Sequence, residues 1–250
     1  MATIAEQLTG VRARIEAACR AAGRSPDEVA LLAVSKTFDA SAVLDAARAG
    51  QRAFGENYIQ EAVDKMAAVH ALVPDLAREF AWHCIGPIQS NKTRLVAEHF
   101  AWAHTVDRLK IAQRLSDQRP AHLPPLNICI QVNVDGGVNK SGASPDDALD
   151  LVRAVLQLPR LALRGLMAIP EPAPDFAAQL AMHQRARALF DAIAASGAAG
   201  LAQWDTLSLG MTGDLEAAVA AGSTLVRVGS GIFGARSYGP QADRALSQKL

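Results

Sequence analysis

Short apolar runs alternate with helical patterns along the whole 250-residue chain, and that alternation restricts the fold more than any single motif. The apolar runs fall at 29–34, 52–54, 82–85, 102–105, 126–134, 161–167, 206–209 and 224–228. Unbroken runs of this kind, bounded by turn residues, read as strands buried on both faces, the pattern of a parallel sheet. Helical patterns lie between them, at 40–49, 91–98, 107–117, after the Ser144-Pro145 cap, at 175–196 and at 215–221. A βαβ unit takes about 30 residues. Eight strands with their helices therefore nearly exhaust the chain, which is the arithmetic of a (β/α)8 TIM barrel. A single barrel domain spanning 1–250 is expected, with a doubly wound open sheet as the alternative. Ahead of the first strand, Ile4, Leu8, Val11 and Ile15 share one helical face, so an extra N-terminal helix is expected, stopped by Gly23 and followed by a short turn at Ser25-Pro26.

Half of the residues are hydrophobic, and a chain of this length buries roughly 70–75% of its unfolded surface, enough for one well-packed core. Lysine plus arginine equals aspartate plus glutamate at 25 each, with no basic stripe, so a nucleic-acid partner is not expected. Cys19, Cys84 and Cys129 are odd in number and far apart, giving neither a disulfide framework nor a metal-ligand spacing. A reducing cytoplasm fits them best. The N-terminus lacks the apolar region of a signal peptide, and no run approaches the roughly 18 apolar residues of a membrane span.

Lys36 follows the first strand with only Ser35 between. In α/β folds the carboxyl ends of the strands form the ligand-binding face. A lysine desolvated there loses its proton near neutral pH and can form an imine with an aldehyde, the usual anchoring chemistry of pyridoxal phosphate. A solvated strand-end lysine is the competing reading. Gly229-Ser230-Gly231-Ile232-Phe233-Gly234 spells G-x-G-x-x-G after a strand, but too little chain follows for the second strand and acidic residue of a dinucleotide site. In a barrel, glycines after the last strands let backbone N–H groups approach a phosphate, and Gly229 and Ser230 suit that role. Arg227 lies within the apolar strand at 224–228, where it needs a partner if it faces inward, or snorkels between helices if it faces outward. The Ser208-Leu209-Gly210-Met211-Thr212-Gly213-Asp214 stretch gathers hydroxyls and glycines before a helix, an anion environment that capping by Thr212 explains equally well. His83 reads as a satisfied core histidine, and Asn91-Lys92 as a cap followed by a solvated lysine. The H-x-x-x-H, G-x-S-x-G and G-x-x-x-x-G-K-[ST] patterns are absent, which removes zincin, α/β-hydrolase and P-loop classes.

Six ordered motifs, Val34 to Thr37, Phe54 to Tyr58, His83 to Lys92, Gly165 to Met167, Ser208 to Thr212 and Arg227 to Gly229, resemble the signatures of the pyridoxal phosphate homeostasis proteins. The resemblance runs over nearly the whole chain. It implies an alanine-racemase-like barrel with pyridoxal 5'-phosphate held on Lys36 as an internal aldimine. By the same likeness Arg227 would face the pyridine nitrogen, Ser208, Gly229 and Ser230 would take the phosphate, and Asn57, Met167 and Met211 would line the pocket. The 135–142 segment departs from the pattern: it has one acid, Asp135, followed by Gly136 and Gly137 before Lys140, where similar proteins carry more acids. A gating or transfer role for that loop is therefore not carried over.

Racemisation needs a second base opposite the lysine. The chain has only Tyr58 and Tyr238 as tyrosines and no residues left over for a second domain to supply one. The expected function is thus storage, buffering or transfer of pyridoxal phosphate by a cytoplasmic monomer, with apo pyridoxal phosphate enzymes as acceptors and little or no turnover. The alternatives are a single-domain amino-acid racemase and, more distantly, a barrel enzyme using Lys36 on a phosphorylated aldehyde or sugar.

Overall fold

The computed structural model describes residues 2–136 and 141–234. The chain begins with α1 (Ile4–Ala21), then runs β1 (Ala30–Val34), α2 (Ala40–Arg48), β2 (Ala53–Glu56), α3 (Ile59–Leu72), α4 (Pro74–Ala77), β3 (Ala81–Cys84), α5 (Thr93–His99), β4 (Trp102–Val106) and α6 (Leu109–Gln118). It continues through β5 (Leu126–Gln131), α7 (Pro145–Val155), β6 (Leu161–Met167), α8 (Phe176–Ala195), β7 (Thr206–Ser208), α9 (Leu215–Ala220), β8 (Leu225–Val228) and α10 (Ser230–Phe233). The strands pair in parallel in chain order and close, β8 against β1, into a barrel. Closure leaves no sheet edge, so every strand is paired on both sides.

Most of the core lies between barrel and helices. A second, small cluster of Leu32, Val34, Ile85 and Leu225 lies apart from it. In the register of the β1–β8 pair Ala30 stands beside Leu225 and Leu32 beside Arg227. Because facing alternates along a strand, Leu225 and Arg227 share the inner side with Leu32. The extra N-terminal helix opens with a capping box, in which Thr3 Oγ1 accepts from the Glu6 N–H and the Glu6 carboxylate accepts from the Thr3 N–H. Its Leu8, Val11 and Ile15 face is buried. No helix among the described residues is long and apolar enough to cross a membrane.

Three local differences from the sequence reading have physical causes. The strand expected at 52–54 runs on to Glu56, a carboxylate buried in the sheet because Lys65 and Ser35 meet it. The run at 126–134 stops as a strand at Gln131, and Val132 makes only an isolated bridge to Ala143. The helix expected from 91 begins two residues later, after a 3-10 turn over Ser90–Lys92.

Candidate ligand site at the barrel mouth

At the carboxyl ends of the strands a cavity of about 600 Å³ opens, within the range of small-molecule sites. Loops after successive strands supply its wall: Lys36 and Phe38 after β1, Asn57 after β2, Ile85 after β3, Ile169 after β6, Met211, Thr212 and Gly213 after β7, and Gly229 and Ser230 after β8, with Val34, Arg227 and Gly234 completing it.

Lys36 continues the inward parity of Leu32 and Val34, which carries its side chain to the cavity. The chain then turns sharply: Phe38 N donates to Ser35 O at 3.1 Å, and Thr37 takes a left-handed φ of 68°. Asn57 is held from behind by Gly86, where a Cβ would collide with the Asn57 carbonyl. Its Oδ1 is buried and has no hydrogen-bond partner among the described residues. That orphaned acceptor is a cost that a bound donor would remove.

Arg227 settles inward, 3% exposed. Its Nη1 donates to the Ser208 carbonyl at 2.6 Å and to Ser208 Oγ at 2.7 Å, and its Nη2 donates to the Ala168 carbonyl at 3.0 Å. Burial pushes the guanidinium down to about 10, still far enough above neutrality to keep it charged. Below it runs a polar column through the barrel. His104 Nδ1 lies 3.0 Å from Ser208 Oγ, and His104 Nε2 lies 2.9 Å from His83 Nδ1. Ser208 Oγ accepts from Arg227 and meets His104 Nδ1, so Arg227, Ser208, His104 and His83 form one hydrogen-bonded chain. Both rings are neutral, because burial lowers His83 to about 3 and His104 well below its ordinary value. His83 stacks on Trp102 at 5.1 Å, and the Arg164 guanidinium lies over Trp102 at 4.9 Å while pairing with Asp205.

The segments that follow β7 and β8 form a cradle of hydroxyls and glycines on the cavity wall. Ser230 Oγ donates to Thr212 Oγ1 at 3.2 Å, and the Gly231 N–H points to the same oxygen at 3.4 Å. Thr212 therefore serves the loop after β8, whereas the N-cap of α9 is Asp214. Asp214 fixes the loop by accepting from Met211 N at 2.6 Å and by pairing with His183 at 3.0 Å. Burial acts to raise its carboxyl, but these hydrogen bonds outweigh that and leave it lowered. From α1, Arg14 donates to the Thr212 carbonyl at 3.0 Å and pairs with Glu216.

Of the residues singled out from sequence, the cavity brings together Lys36, Asn57, Met211, Arg227, Gly229 and Ser230. Ser208 and Met167 are not on its wall. They are register partners one rung deeper, both fully buried, and Ser208 Oγ is hydrogen-bonded to Arg227 and His104. On that side Ile169, two residues beyond Met167, forms the wall. His83 is a core histidine as read, and Lys92 lies off the cavity. Gly137, Lys140 and Tyr238 lie outside the described residues. Sequence reading passed over Ile169, although its parity with Met167 pointed there, and His104, whose alternation with Trp102 marked it as inward.

Residues 7–237 match the family described as alanine racemase, N-terminal domain. A pyridoxal phosphate homeostasis protein from Pseudomonas aeruginosa is 57% identical over 242 residues, covering 97% of this chain and 100% of that relative. The chain belongs to the pyridoxal phosphate homeostasis protein family. Among solved structures, PipY of Synechococcus elongatus with pyridoxal phosphate bound is 34% identical, with a TM-score of 0.79 over 93% of this chain and 100% of that one. Alanine racemase from Corynebacterium glutamicum, 14% identical with a TM-score of 0.64 over 92% of this chain and 62% of that one, shares the barrel fold.

Proposed function

We propose that this protein holds pyridoxal phosphate through Lys36 and hands it on, as a homeostasis protein without sustained turnover of its own. The observation that carries the reading is the convergence of Lys36, the buried Arg227 and the Thr212 and Ser230 hydroxyls on one cavity. When bound, pyridoxal phosphate supplies an aldehyde that condenses reversibly with a neutral lysine amine, releasing one water.

Each residue type fits one part of that group. Thr212, Gly229 and Ser230 offer hydroxyls and close backbone approach to the phosphate, and Asn57 Oδ1 offers an unused acceptor to the ring hydroxyl. Arg227 is the cation for the pyridine nitrogen. A guanidinium that keeps its protons leaves that nitrogen unprotonated, which weakens the ring as an electron sink. Ser208 belongs to the support of Arg227 and Met167 to the floor beneath it.

Among the described lining residues Lys36 is the one base for proton transfer at carbon: no tyrosine, histidine or carboxylate stands on the wall. That supports a carrier over a racemase. The reducing interior of the cell suits the three free, buried cysteines, and we assign the working form as a cytoplasmic monomer that donates to apo enzymes. The test is transfer against turnover. Loaded protein should activate an apo pyridoxal phosphate enzyme across an equimolar mixture, while alanine Cα hydrogen exchanges no faster with the protein than without it; enzyme-dependent exchange at turnover rates would replace the carrier with a racemase.

A further inference from the structure

The backbone that presents Lys36 is gripped from outside the cavity by a buried ionic cluster. Lys65 of α3 has a side chain only 4% exposed. Its Nζ donates to the Ser35 carbonyl at 2.8 Å, to Glu56 Oε1 at 2.7 Å and to Glu61 Oε1 at 3.4 Å. Glu56 Oε1 also accepts from Ser35 Oγ at 2.7 Å. Glu61 Oε1 accepts from the backbone N–H of Thr37 at 2.8 Å. The carbonyl of the peptide unit before Lys36 and the N–H of the unit after it are therefore tied to one set of charges, and none of Glu56, Glu61 or Lys65 lines the cavity.

Two features show that the cluster holds a geometry more than it adds stability. Desolvation offsets most of the attraction within a buried ion pair, so such a pair contributes little net stability over apolar residues of the same shape. Glu56 illustrates this: burial raises its carboxyl despite Lys65, and its Oε2 is buried without a hydrogen-bond partner among the described residues. Thr37, meanwhile, is a β-branched residue at a left-handed φ of 68°. A residue of that kind stays there only where its surroundings over-determine it, and the Thr37 N–H bond to Glu61 joins the Phe38 N–H bond to the Ser35 carbonyl in doing so.

We infer that Glu61, Lys65 and Glu56 are positioning residues that set the direction of Lys36, and with it the strength of its bond to the aldehyde. The inference rests on Lys36 being the cofactor's anchor. In the covalent step the Lys36 amine adds to the aldehyde carbon, and the carbonyl oxygen leaves as water with the two amine protons. Glu61 acts on that step, since its side chain meets the Thr37 N–H and Lys65 and does not line the cavity.

Pyridoxamine phosphate separates the two contributions. It carries the same ring and phosphate but an amine in place of the aldehyde, so it fills the cavity without condensing with Lys36. Glu61 is partly exposed, and Glu61→Ala leaves the Lys65 to Glu56 pair in place, so the variant keeps its fold. The expected result is that Glu61→Ala weakens pyridoxal phosphate binding roughly ten- to a hundredfold, the scale of one lost hydrogen bond to a charged group. Pyridoxamine phosphate affinity stays unchanged. Glu61→Gln, whose amide oxygen still accepts from Thr37, restores most of the loss. In the apo protein, amide hydrogen exchange at Thr37 speeds up in Glu61→Ala and not in Glu61→Gln. Equal weakening of both ligands would make the role merely structural and overturn the inference, as would faster Thr37 exchange with unchanged pyridoxal phosphate affinity. Lys36→Ala tests the underlying assignment separately: wild-type affinity for pyridoxal phosphate in that variant would remove the anchor, whatever Glu61 does.

Discussion

The buried histidine pair makes acid destabilisation measurable at unusually mild pH. His83 and His104 are neutral in the folded protein, with His83 lowered to about 3 and His104 well below its ordinary value of 6.5, in both cases chiefly by burial. Unfolding releases both rings to water, where they titrate near 6.5. Between those limits the unfolded state binds more protons than the native state, so stability is fully present above pH 6.5 and falls as pH drops below it. Each such group contributes a slope approaching about 1.4 kcal/mol per pH unit. From pH 7 to pH 5.5 the loss is roughly 1 kcal/mol per ring and about 2 to 3 kcal/mol for the pair. The lowered carboxyls, Asp39, Asp214 and Glu216 among them, titrate below their ordinary values of 3.8 to 4.5 and stay outside this window. Glu56 acts in the opposite sense, because burial raises its carboxyl and the native state takes up its proton first. The histidine share is therefore read as a difference between proteins. Urea unfolding of the apo protein from pH 7.5 to 5.0, for the wild type and for His83→Asn/His104→Asn, should show the steep fall only in the wild type, with the single variants in between. A double variant with the wild-type slope would refute the reasoning, since the neutral column would then not be the source of the pH dependence.

Gly86→Ala should cost about 1 to 3 kcal/mol by overpacking, because the added Cβ strikes the Asn57 carbonyl; thermal unfolding and pyridoxal phosphate titration should show both losses. Arg227→Met removes the donors that satisfy the Ser208 and Ala168 carbonyls and should destabilise the apo protein by about 2 to 4 kcal/mol. The same substitution should alter the visible spectrum of the loaded protein, and an unchanged spectrum would count against contact of Arg227 with the ring.

Order and type of the strands were legible because a parallel barrel writes each strand as an apolar run. Lys36 could be read as a site residue because it stands just past such a run, and Gly229 because its fingerprint lacked the context of a dinucleotide fold. The depth of a residue along the barrel axis was not legible. Ser208 and Met167 sit one rung below the residues that line the cavity. Strand parity left Arg227 equally able to face in or out, and its register against Leu32 decided the matter. Helix α3 was hard to see because its buried face contains Lys65 beside Ile59, Ala62 and Val69. A lysine breaks the apolar period, and its reason for being there lies in Ser35 and Glu56, up to 30 residues away in sequence. The His83 to His104 to Ser208 chain was hidden likewise, since it joins β3, β4 and β7 across the barrel.

The attachment of pyridoxal phosphate to Lys36 is open to one decisive measurement: the purified protein is loaded with the cofactor, reduced with borohydride, digested and mapped by mass spectrometry. A single modified peptide carrying a reduced pyridoxal phosphate adduct on Lys36, with loss of the visible absorbance and no adduct in Lys36→Ala, is the expected result. A protein that stays colourless after loading, or an adduct confined to other lysines with Lys36 unmodified, would contradict it.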